Sequence, residues 1–417
     1  MLPPGRPGDD GNALGLNDIH VCPTCGGAHE AEVERCHACT APMAGSAKIA
    51  KTLMVRNVEA APAERITAND EERVRQGFDV LTTFQWPVEN GQAVVDQATV
   101  THQDTPLLTL QYSGKATITR LNRGLRRRNP ATPMGFTLNP QSGYWAPSED
   151  EDPSNLPPDA ARPERVVPRV AETKSALLLR FANPDALSDT TRATLQHALL
   201  RAIELEWQLE EGEVLGEPLP ARDDRRAILA FEATEGGAGV LPQVMADPAA
   251  LPRVARRALM LMHYAETAGD LAPAIAATDP ALLHDTEADT CVRGCYRCLL
   301  SYFNQPDHAL IDRRDRDAQA FLLRLAQSAL TPKPRHVGDW YAAFATAGLP
   351  PPDTIPVVLG GVSAIHAWPS HRVVTHAAPA PPTMQAAANA RAWDVVALPT
   401  NPADGVPPDL IRLLKGA

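Results

Sequence analysis

Aromatic residues are scarce in this sequence. Phe, Trp and Tyr make up 5% of its 417 residues, whereas proline occurs 40 times. Because 44% of the residues are apolar, a chain of this length can still bury the cores of two or three domains. The shortage of rings and the abundance of proline predict compact elements joined by long loops.

Long apolar runs are also missing. No stretch reaches the roughly 20 residues that a membrane-spanning helix needs, and the start, MLPPGRPGDDGNALGLN, lacks the apolar core of a secretory signal. We therefore expect a cytoplasmic protein with no membrane partner. In a reducing compartment, seven cysteines at short spacings favour metal binding over disulfides.

Positive charge is in deficit, and the net charge is −11. The surface as a whole repels nucleic acid, so any contact with DNA needs a local basic patch. Two groups of arginines are candidates for contacting phosphates: Arg120, Arg123, Arg126, Arg127 and Arg128 in TRLNRGLRRRN, and Arg313 and Arg314 after the last cysteines. The alternatives are a solvated loop face for the first group and salt bridges to interleaved aspartates for the second.

Motifs of nucleotide chemistry and of hydrolysis are absent from the 417 residues. There is no Walker A sequence, no DEAD or DEAH box, no G-x-S-x-G elbow and no H-E-x-x-H. We therefore expect that the chain is not an enzyme by itself. An unrecognised site in the tail beyond Pro332 is the least favoured alternative.

A glycine-rich turn, EGGAGV, follows a predicted strand and opens a predicted helix. Gly236, Gly237 and Gly239 could present backbone amides to a phosphate. The turn lacks the P-loop and dinucleotide-binding patterns, so a tight structural turn is the alternative.

The sequence does contain a β-rich first half, followed by strands and amphipathic helices, which predicts an α+β fold. Separate strands are predicted at Leu107–Tyr112 and Lys115–Leu121, a strand at Ser175–Phe181 and a helix at Thr190–Glu211. The predicted organisation is a flexible arm (1–20), a zinc ribbon (21–45), a β-rich domain (46–146), an acidic proline-rich linker (147–165), a mixed α/β zinc-binding domain (166–331) and a small α/β appendage (332–417).

The strongest chemical signal is a pair of CxxC motifs separated by ten residues. They supply four candidate ligands: Cys22, Cys25, Cys36 and Cys39. Four thiolates on two tight turns complete a tetrahedron around zinc and leave no open position for chemistry, so a structural ribbon is predicted. The alternatives are four unligated buried cysteines or a redox pair. The nearby His29 and His37 are interpreted as surface residues.

A second cysteine group is Cys291-x3-Cys295-x2-Cys298. Its three thiolates predict a second metal site that needs a fourth ligand. His308, ten residues after the last cysteine, and His284, seven before the first, are the candidates. The alternative is three reduced cysteines packed near the start of a helix.

The residues from EGGAGVL through C-x3-C-Y-x-C-L-L-S-Y-x-N-Q-x-x-H to Asp312-Arg313 resemble the zinc-binding C-terminal domain of DEAD/DEAH-type helicases, the MrfA-like or MZB region. The ribbon, LNRGLRRR and GFTLNPQSGYW resemble the segment between motor and zinc domain in such helicases. The resemblance covers about residues 20–330 and is most specific over 235–313. The family pattern has four cysteines in the second site, and the three present here make His308 the chosen fourth ligand.

The resemblance implies a module that supports DNA unwinding by RecA-like motor domains. Chains of this kind without a motor resemble the DrmB family, which partners a helicase in the DISARM anti-phage defence system. We therefore expect a zinc-binding accessory subunit that contacts DNA weakly alone and works with a separate RecA-like ATPase. A protein-interaction scaffold with structural zinc sites, or one half of a split helicase, are the alternatives.

Overall fold

The computed structural model describes residues 15–55, 77–89, 92–126, 128–129, 132–138, 145, 164–234, 237–333, 340–353, 357–360, 362–377, 380–399 and 405–415. The chain folds as two units, Met1–Pro334 and Arg335–Ala417. Arg127 and Gly236, two of the candidate site residues, lie outside the described residues, as does the predicted linker up to residue 163.

Two long strands organise the first unit. Strand β8 (Thr105–Leu125) and strand β10 (Glu164–Phe181) pair antiparallel along most of their lengths. The sequence predicted a break in β8 near Ser113, but the strand continues, because the register shift between Lys174 and Ala176 of β10 accommodates the irregularity. The predicted domain boundary between residues 165 and 166 lies inside β10.

Further strands extend this pair in both directions. Strand β8 also pairs with β4 (Phe78–Gln85) and with β7 (Asp96–His102), and β7 pairs with β13 (Ala329–Lys333). Strand β10 also pairs with β9 (Phe136–Leu138), with β12 (Asp224–Glu232), which pairs with β11 (Val214–Ala221), and with β3 (Ala47–Met54), which is followed by β1 (Asn17–Val21) and β2 (Ala28–His29). These eleven strands of the described residues form one sheet, and β5 (Val88–Glu89) and β6 (Gln92–Ala93) form a separate hairpin.

Both faces of the sheet are buried at the centre of β10. Leu177 and Leu179 belong to the core under the helices, whereas Ala176 and Leu178 belong to the core under the cysteine ribbon. Successive strand residues face opposite sides, so the continuous apolar run ALLL serves two cores. The helices on the first side are α1 (Asp189–Glu206), α2 (Leu241–Ala246), α3 (Ala250–Leu261), α4 (Ala272–Ala277) and α5 (Arg316–Leu325).

The longest helix of the described residues is α1, which begins where Ser188 accepts a hydrogen bond from the Thr191 amide. It ends at Glu206, earlier than the predicted Glu211, because the chain leaves the helix at Trp207 and turns toward β11. None of the helices in the described part of the chain combines the length and apolar character needed to cross a lipid bilayer.

The second unit is a small α/β fold. Its elements are α6 (Trp340–Thr346), β14 (Val358–Leu359), β15 (Val362–Ser363), β16 (His366–Trp368), β17 (Val373–Ala377), α7 (Pro382–Ala390), β18 (Asp394–Leu398) and α8 (Pro408–Lys415). Strands β17 and β18 are parallel and are joined through α7. Trp340, Phe344 and Trp368 pack in the core with Val373 and Leu410. The α+β fold class, with mixed helices and a large sheet, is confirmed.

Adjacent core residues of β10 provide a test of the two-faced sheet. We expect Leu178→Ala and Leu179→Ala each to lower the free energy of unfolding by about 2–5 kcal/mol, because both side chains are buried, in different cores. Val170→Ala on the same strand is the control, since Val170 is 40% exposed. Denaturant unfolding of the full chain measures all three. A small effect for either leucine would mean that only one face is packed.

Candidate metal centres

Two turns of the same shape carry the ribbon cysteines. The Gly26 amide donates to the Cys22 carbonyl, and the Thr40 amide donates to the Cys36 carbonyl. Gly26 and Thr40 stand at equivalent positions and have left-handed φ angles of 73° and 60°. Glycine adopts such angles without strain, and a Cβ atom at Gly26 would come within 2.9 Å of Leu219 on β11. The first turn therefore needs its glycine for close packing on the sheet.

The four thiols of the ribbon have the spacing of a metal site. Sγ of Cys22 is 3.6 Å from Sγ of Cys39, and Sγ of Cys25 is 3.6 Å from Sγ of Cys36. All four sulfur atoms lie within 4.8 Å of one another. A disulfide would bring two sulfurs to about 2.05 Å, whereas Zn–S bonds of about 2.3 Å give a tetrahedron with edges of about 3.8 Å. The donor set therefore fits zinc.

His29 is buried against this cluster and is not the surface residue predicted from the sequence. Its Nε2 atom lies 3.4 Å from Sγ of Cys36, and the residue is 4% exposed. Burial lowers the pKa of His29, which favours a neutral ring that can donate one N–H to a thiolate. The ring of His37, which is partly exposed, contacts His29 edge-on. A hydrogen bond from a residue that is not itself a ligand, such as the one from His29 to Cys36, orients a metal ligand.

A glutamine of the sheet holds the ribbon in place. Nε2 of Gln111 on β8 donates to the Ala38 carbonyl at 2.8 Å. Its Oε1 accepts from the indole of Trp86 at 3.4 Å. The Ala38 carbonyl lies between the two cysteines of the second CxxC motif, so this link fixes the metal turn directly on β8.

The second cluster consists of Cys291, Cys295, Cys298 and His263, whose ligand atoms lie within 4.8 Å of one another. Sγ of Cys298 is 3.8 Å from Sγ of Cys291 and 3.6 Å from Sγ of Cys295. Nε2 of His263 is 3.5 Å from Sγ of Cys295. Zinc bonds of about 2.3 Å to sulfur and about 2.0 Å to nitrogen give an S–N edge of similar length. The three thiols and one imidazole thus fit a closed tetrahedral site.

The thiols of this cluster differ in acidity. Burial raises the pKa of Cys298 to about 12. Burial acts in the same direction on Cys295, but hydrogen bonds, first the one with His263, outweigh it and lower the pKa of Cys295 to about 6. A bound zinc ion would deprotonate all three, because thiolates are its ligands.

The structure places His263, and not His308 or His284, beside the thiols. Nε2 of His308 contacts the Ser301 carbonyl at 3.1 Å and Oδ1 of Asn304 at 2.9 Å. His284 is exposed. The choice of His308 as fourth ligand is therefore corrected, because that ring is engaged in the fold of its own loop.

The sequence pattern predicts a helix over roughly Pro252–Thr267, and His263 was missed because that helix would run through it. Helix α3 ends at Leu261, and His263 adopts a left-handed φ of 65°, which turns its ring out of the helical path. Its carbonyl accepts hydrogen bonds from the amide and the hydroxyl of Thr286. The residue stands far from the cysteines along the chain, so spacing alone offers no signal for it.

Arg313 joins the segments that carry these ligands. Its Nε donates to the Cys291 carbonyl at 2.7 Å, and its guanidinium also donates to the Met262 carbonyl at 3.1 Å. Both oxygens of Asp285 accept from the same side chain. The guanidinium lies 5.5 Å from the ring centre of Tyr264. One buried side chain thus ties the residue before His263 to the first cysteine of the cluster.

The burial of Arg313 contradicts the prediction that this residue contacts DNA. The residue is 0% exposed, and its donors are used within the protein. Arg314 is 39% exposed and lies 3.6 Å from Asp285. Of the two, only Arg314 can reach a ligand in solvent.

The glycine turn closes over a carboxylate of the protein itself. Oε1 of Glu232 accepts from the amides of Val240 and Leu241, at 2.8 and 3.0 Å. A Cβ atom at Gly237 would come within 1.9 Å of Oε2 of Glu232, while Gly239 faces open space. The helix N-terminus is therefore occupied by Glu232, which supports the structural turn over the phosphate nest.

The first arginine group is divided between different roles. Arg120 lies 5.7 Å from the ring centre of Phe231. Arg123 and Arg128 both bind Asp79, at 2.7 and 3.0 Å. Arg126 is exposed, and its Nε donates to the backbone carbonyl at the start of β4. Fewer of these cations face solvent than the sequence indicated.

The match to a protein-family model agrees with the second metal centre. Residues 195–299 match the family model described as MZB, the MrfA Zn-binding domain, and this range contains all four ligands of the second cluster. No protein of curated function matches the sequence. A solved structure, described as the crystal structure of the DUF1998 helicase MrfA bound to DNA, aligns with 12% identity and a TM-score of 0.30 over 60% of this chain. The alignment takes in 25% of that helicase chain.

Removal of single histidines distinguishes the ligand sets. We expect the purified chain to hold two zinc ions, and His263→Ala to lose one of them on dialysis against a chelator, because three thiolates alone leave the tetrahedron open. His308→Ala should keep both, and His284→Ala serves as an exposed control. Elemental analysis after dialysis measures the content. Loss of zinc from the His308 variant instead would refute the assignment of His263.

Replacement of Arg313 tests its role in the fold. We expect Arg313→Gln to lower the free energy of unfolding by about 3–5 kcal/mol, because Asp285 and the buried carbonyls lose their donors. Arg314→Gln is the matched control and should change it by less than about 0.5 kcal/mol. Chemical unfolding, followed together with zinc release, gives both values. Equal small effects would show that Arg313 does not support the site.

Proposed function

Residues 195–299 match the model of the MrfA Zn-binding domain, and on this premise we propose that the chain is a non-catalytic accessory subunit that binds DNA together with a RecA-like helicase motor. The domain takes its name from MrfA, which is described as a helicase in a complex with DNA. The 417 residues contain no Walker A or DEAD/DEAH motif, so the motor would come from outside them.

The metal centres support a structural rather than a chemical role. Each candidate site has four protein ligands, and a closed zinc tetrahedron leaves no position for water or substrate. Zinc here would hold loops rigid. Rigid loops are suited to presenting a binding surface to a partner or to a DNA strand.

The observation that supports DNA binding is a surface of exposed and half-buried rings and arginines at the end of β8. We call it the β8-end surface, and it consists of Phe78, Arg126, Phe136, Trp145 and Arg165. Phe136 contacts Phe78 and Trp145 edge-on, at 5.9 and 6.3 Å between ring centres. Phe78 is 48% exposed and Trp145 is 37% exposed.

The arginines of this surface lie beside the rings. Arg126 donates to the Phe78 carbonyl, and Arg165 donates to the carbonyls of Pro133 and Gly135, next to Phe136. Single-stranded DNA is bound by such a combination, because bases stack on aromatic rings while cations follow the phosphates. In a chain of net charge −11, this local patch is the kind of site that DNA contact requires.

The protein-interaction scaffold is the second candidate. It is favoured by the ion pairs of Arg123 and Arg128 with Asp79 and by the burial of Arg313, which remove three cations from solvent. One half of a split DEAD/DEAH helicase would have the same surfaces. Anti-phage defence of the DISARM type is the proposed biological setting, and it rests on the resemblance of the sequence to motor-free chains.

Affinity purification from native cells tests the proposed partnership. A near-stoichiometric RecA-like ATPase in the eluate is the expected result, and its recovery should survive nuclease treatment if the contact is between proteins. Recovery of the chain without any ATPase would contradict an accessory role and would favour the scaffold.

The β8-end surface can be tested on the purified complex, or on the chain alone, with a fluorescent thymidine oligonucleotide. We expect Arg126→Gln to weaken binding and to reduce the salt dependence by about 0.7 in log–log slope, the value for one phosphate contact on a single strand. Trp145→Ala should weaken binding by about 1–3 kcal/mol without changing that slope, because stacking carries no charge.

Arg412→Gln is the control for this experiment. Arg412 is 65% exposed and lies in the second unit, so its replacement should leave affinity and slope unchanged. Identical slopes for the wild type and the Arg126 variant would remove the β8-end surface from the DNA-binding account.

A further inference from the structure

A polar cavity of about 160 Å³ lies next to the second metal centre. It is formed by α1, by the start of β11 and by the loop that follows Cys298. Sites for drug-sized ligands are larger, about 300–1,000 Å³. This cavity therefore has the size for one side chain or one small group rather than for a whole nucleotide.

Exposed aromatic rings stand at the rim of this cavity. Tyr296 is 70% exposed and Phe303 is 61% exposed, and both line it. Tyr302, which is 56% exposed, contacts Phe303 edge-on at 6.0 Å between ring centres. Large apolar groups left in water on one small patch are typical of binding sites.

The loop that carries these rings is fixed from below by Asp307, which is 2% exposed. This carboxylate is bound by His197 of α1 at 2.9 Å and by Arg222 at 3.0 Å, and Arg225 of β12 also donates to it. Burial opposes ionisation, but these hydrogen bonds outweigh it and hold the pKa of Asp307 well below its usual range. The rim is thus preorganised, which reduces the entropy lost on binding.

Carboxylates outnumber cations around the cavity. Its acids are Glu204, Glu211, Glu217 and Asp307, and its arginines are Arg201 and Arg222, with Arg225 bound to Asp307 from behind. Burial lowers the pKa of His197, so this ring adds no fixed positive charge. The lining itself thus has two more carboxylates than arginines, while Arg225 acts on Asp307 and Arg120 acts on Glu217 from outside it.

For two of the acids, burial outweighs the compensation that their neighbours provide. Burial raises the pKa of Glu217, although Arg222 at 3.5 Å, Arg120 and a hydrogen bond with Thr82 act in the opposite direction. Burial also raises the pKa of Glu204, which is bound by Arg201 and by the Gly212 amide. Buried carboxylates without full compensation gain from an added cation.

We propose that this cavity is a docking site for one arginine side chain of a protein partner. A guanidinium would reduce the excess of carboxylates over arginines in the lining, donate in its plane to Glu217 and stack between Tyr296 and Phe303. Arginine suits such a place because it forms planar hydrogen bonds and packs on aromatic faces. It is also enriched among the residues that dominate protein interfaces.

A DNA strand fits this cavity less well. Its phosphates would approach four carboxylates, and like charges across an interface are strongly unfavourable. The β8-end surface has the opposite character, with arginines beside its rings. Only the identity of the partner, the motor subunit, rests on the proposed function. The preference of the cavity for a guanidinium requires neither a motor nor DNA.

The test uses the full chain with fluorotyrosine in place of its six tyrosines and follows the fluorine resonances by NMR. Tyr296→Phe assigns the resonance of Tyr296. The probes are a short Gly/Ser peptide with one central arginine and the same peptide with citrulline, which has nearly the same shape but no charge. We expect saturable movement of the Tyr296 resonance with the arginine peptide alone.

Two variants separate the cavity from the surface around it. Glu217→Gln should weaken arginine-peptide binding about tenfold, the effect of losing one charged hydrogen bond. Glu210→Gln is the matched control, because Glu210 is an exposed carboxylate outside the cavity lining, and its affinity should equal that of the wild type.

Three results would overturn the inference. These are equal binding of the arginine and citrulline peptides, no movement of Tyr296 with either peptide, and movement of Tyr296 with a thymidine oligonucleotide but not with arginine. The last result would identify a base-binding site. This titration contains no motor subunit, so a negative result would not bear on the affinity purification or on the Arg126 experiment. Negative results in those two experiments would likewise leave the peptide titration valid.

Discussion

The pairing of β8 with β10 is the constraint on which every candidate site depends. The ribbon packs on one face of these strands, and the helices that carry the second metal centre pack on the other. The far end of β8 holds the arginine–aromatic surface. A change in strand register of one residue would move every side chain of the strand to the opposite face. The apolar run Ala176–Leu179 therefore fixes which face of the sheet packs against the ribbon and which packs against the helices.

Buried charged side chains hold together the segments around the second metal centre. Arg313 links the His263 segment to the cysteine loop, Asp307 links that loop to α1 and β12, and Glu232 closes the glycine turn. Each is a charge taken out of water; Arg313 and Asp307 are held by partners from distant parts of the chain, and Glu232 is held by the amides of Val240 and Leu241. Because a buried charge that loses its partner is strongly destabilising, these bonds restrict the loops around the second centre.

What the sequence could predict depended on distance along the chain. The ribbon ligands were foreseen because a CxxC turn is local, and the α+β class followed from hydrophobic periodicity. His263 was missed because helix α3 ends at Leu261, two residues before it, and because His263 itself has a left-handed backbone conformation. Neither feature is indicated by the local sequence. Arg313 was noticed as a cation, yet no local pattern shows that it is buried. The continuity of β8 and β10 was also hidden, because strand pairing is set by distant partners.

The central claim is that two closed zinc sites, one with four sulfur ligands and one with three sulfurs and one nitrogen, support this fold. X-ray absorption at the zinc edge of the native purified chain tests it most directly. We expect seven sulfur ligands at about 2.3 Å and one nitrogen ligand at about 2.0 Å, shared by two zinc ions. A spectrum that required oxygen ligands or an open coordination position would contradict it.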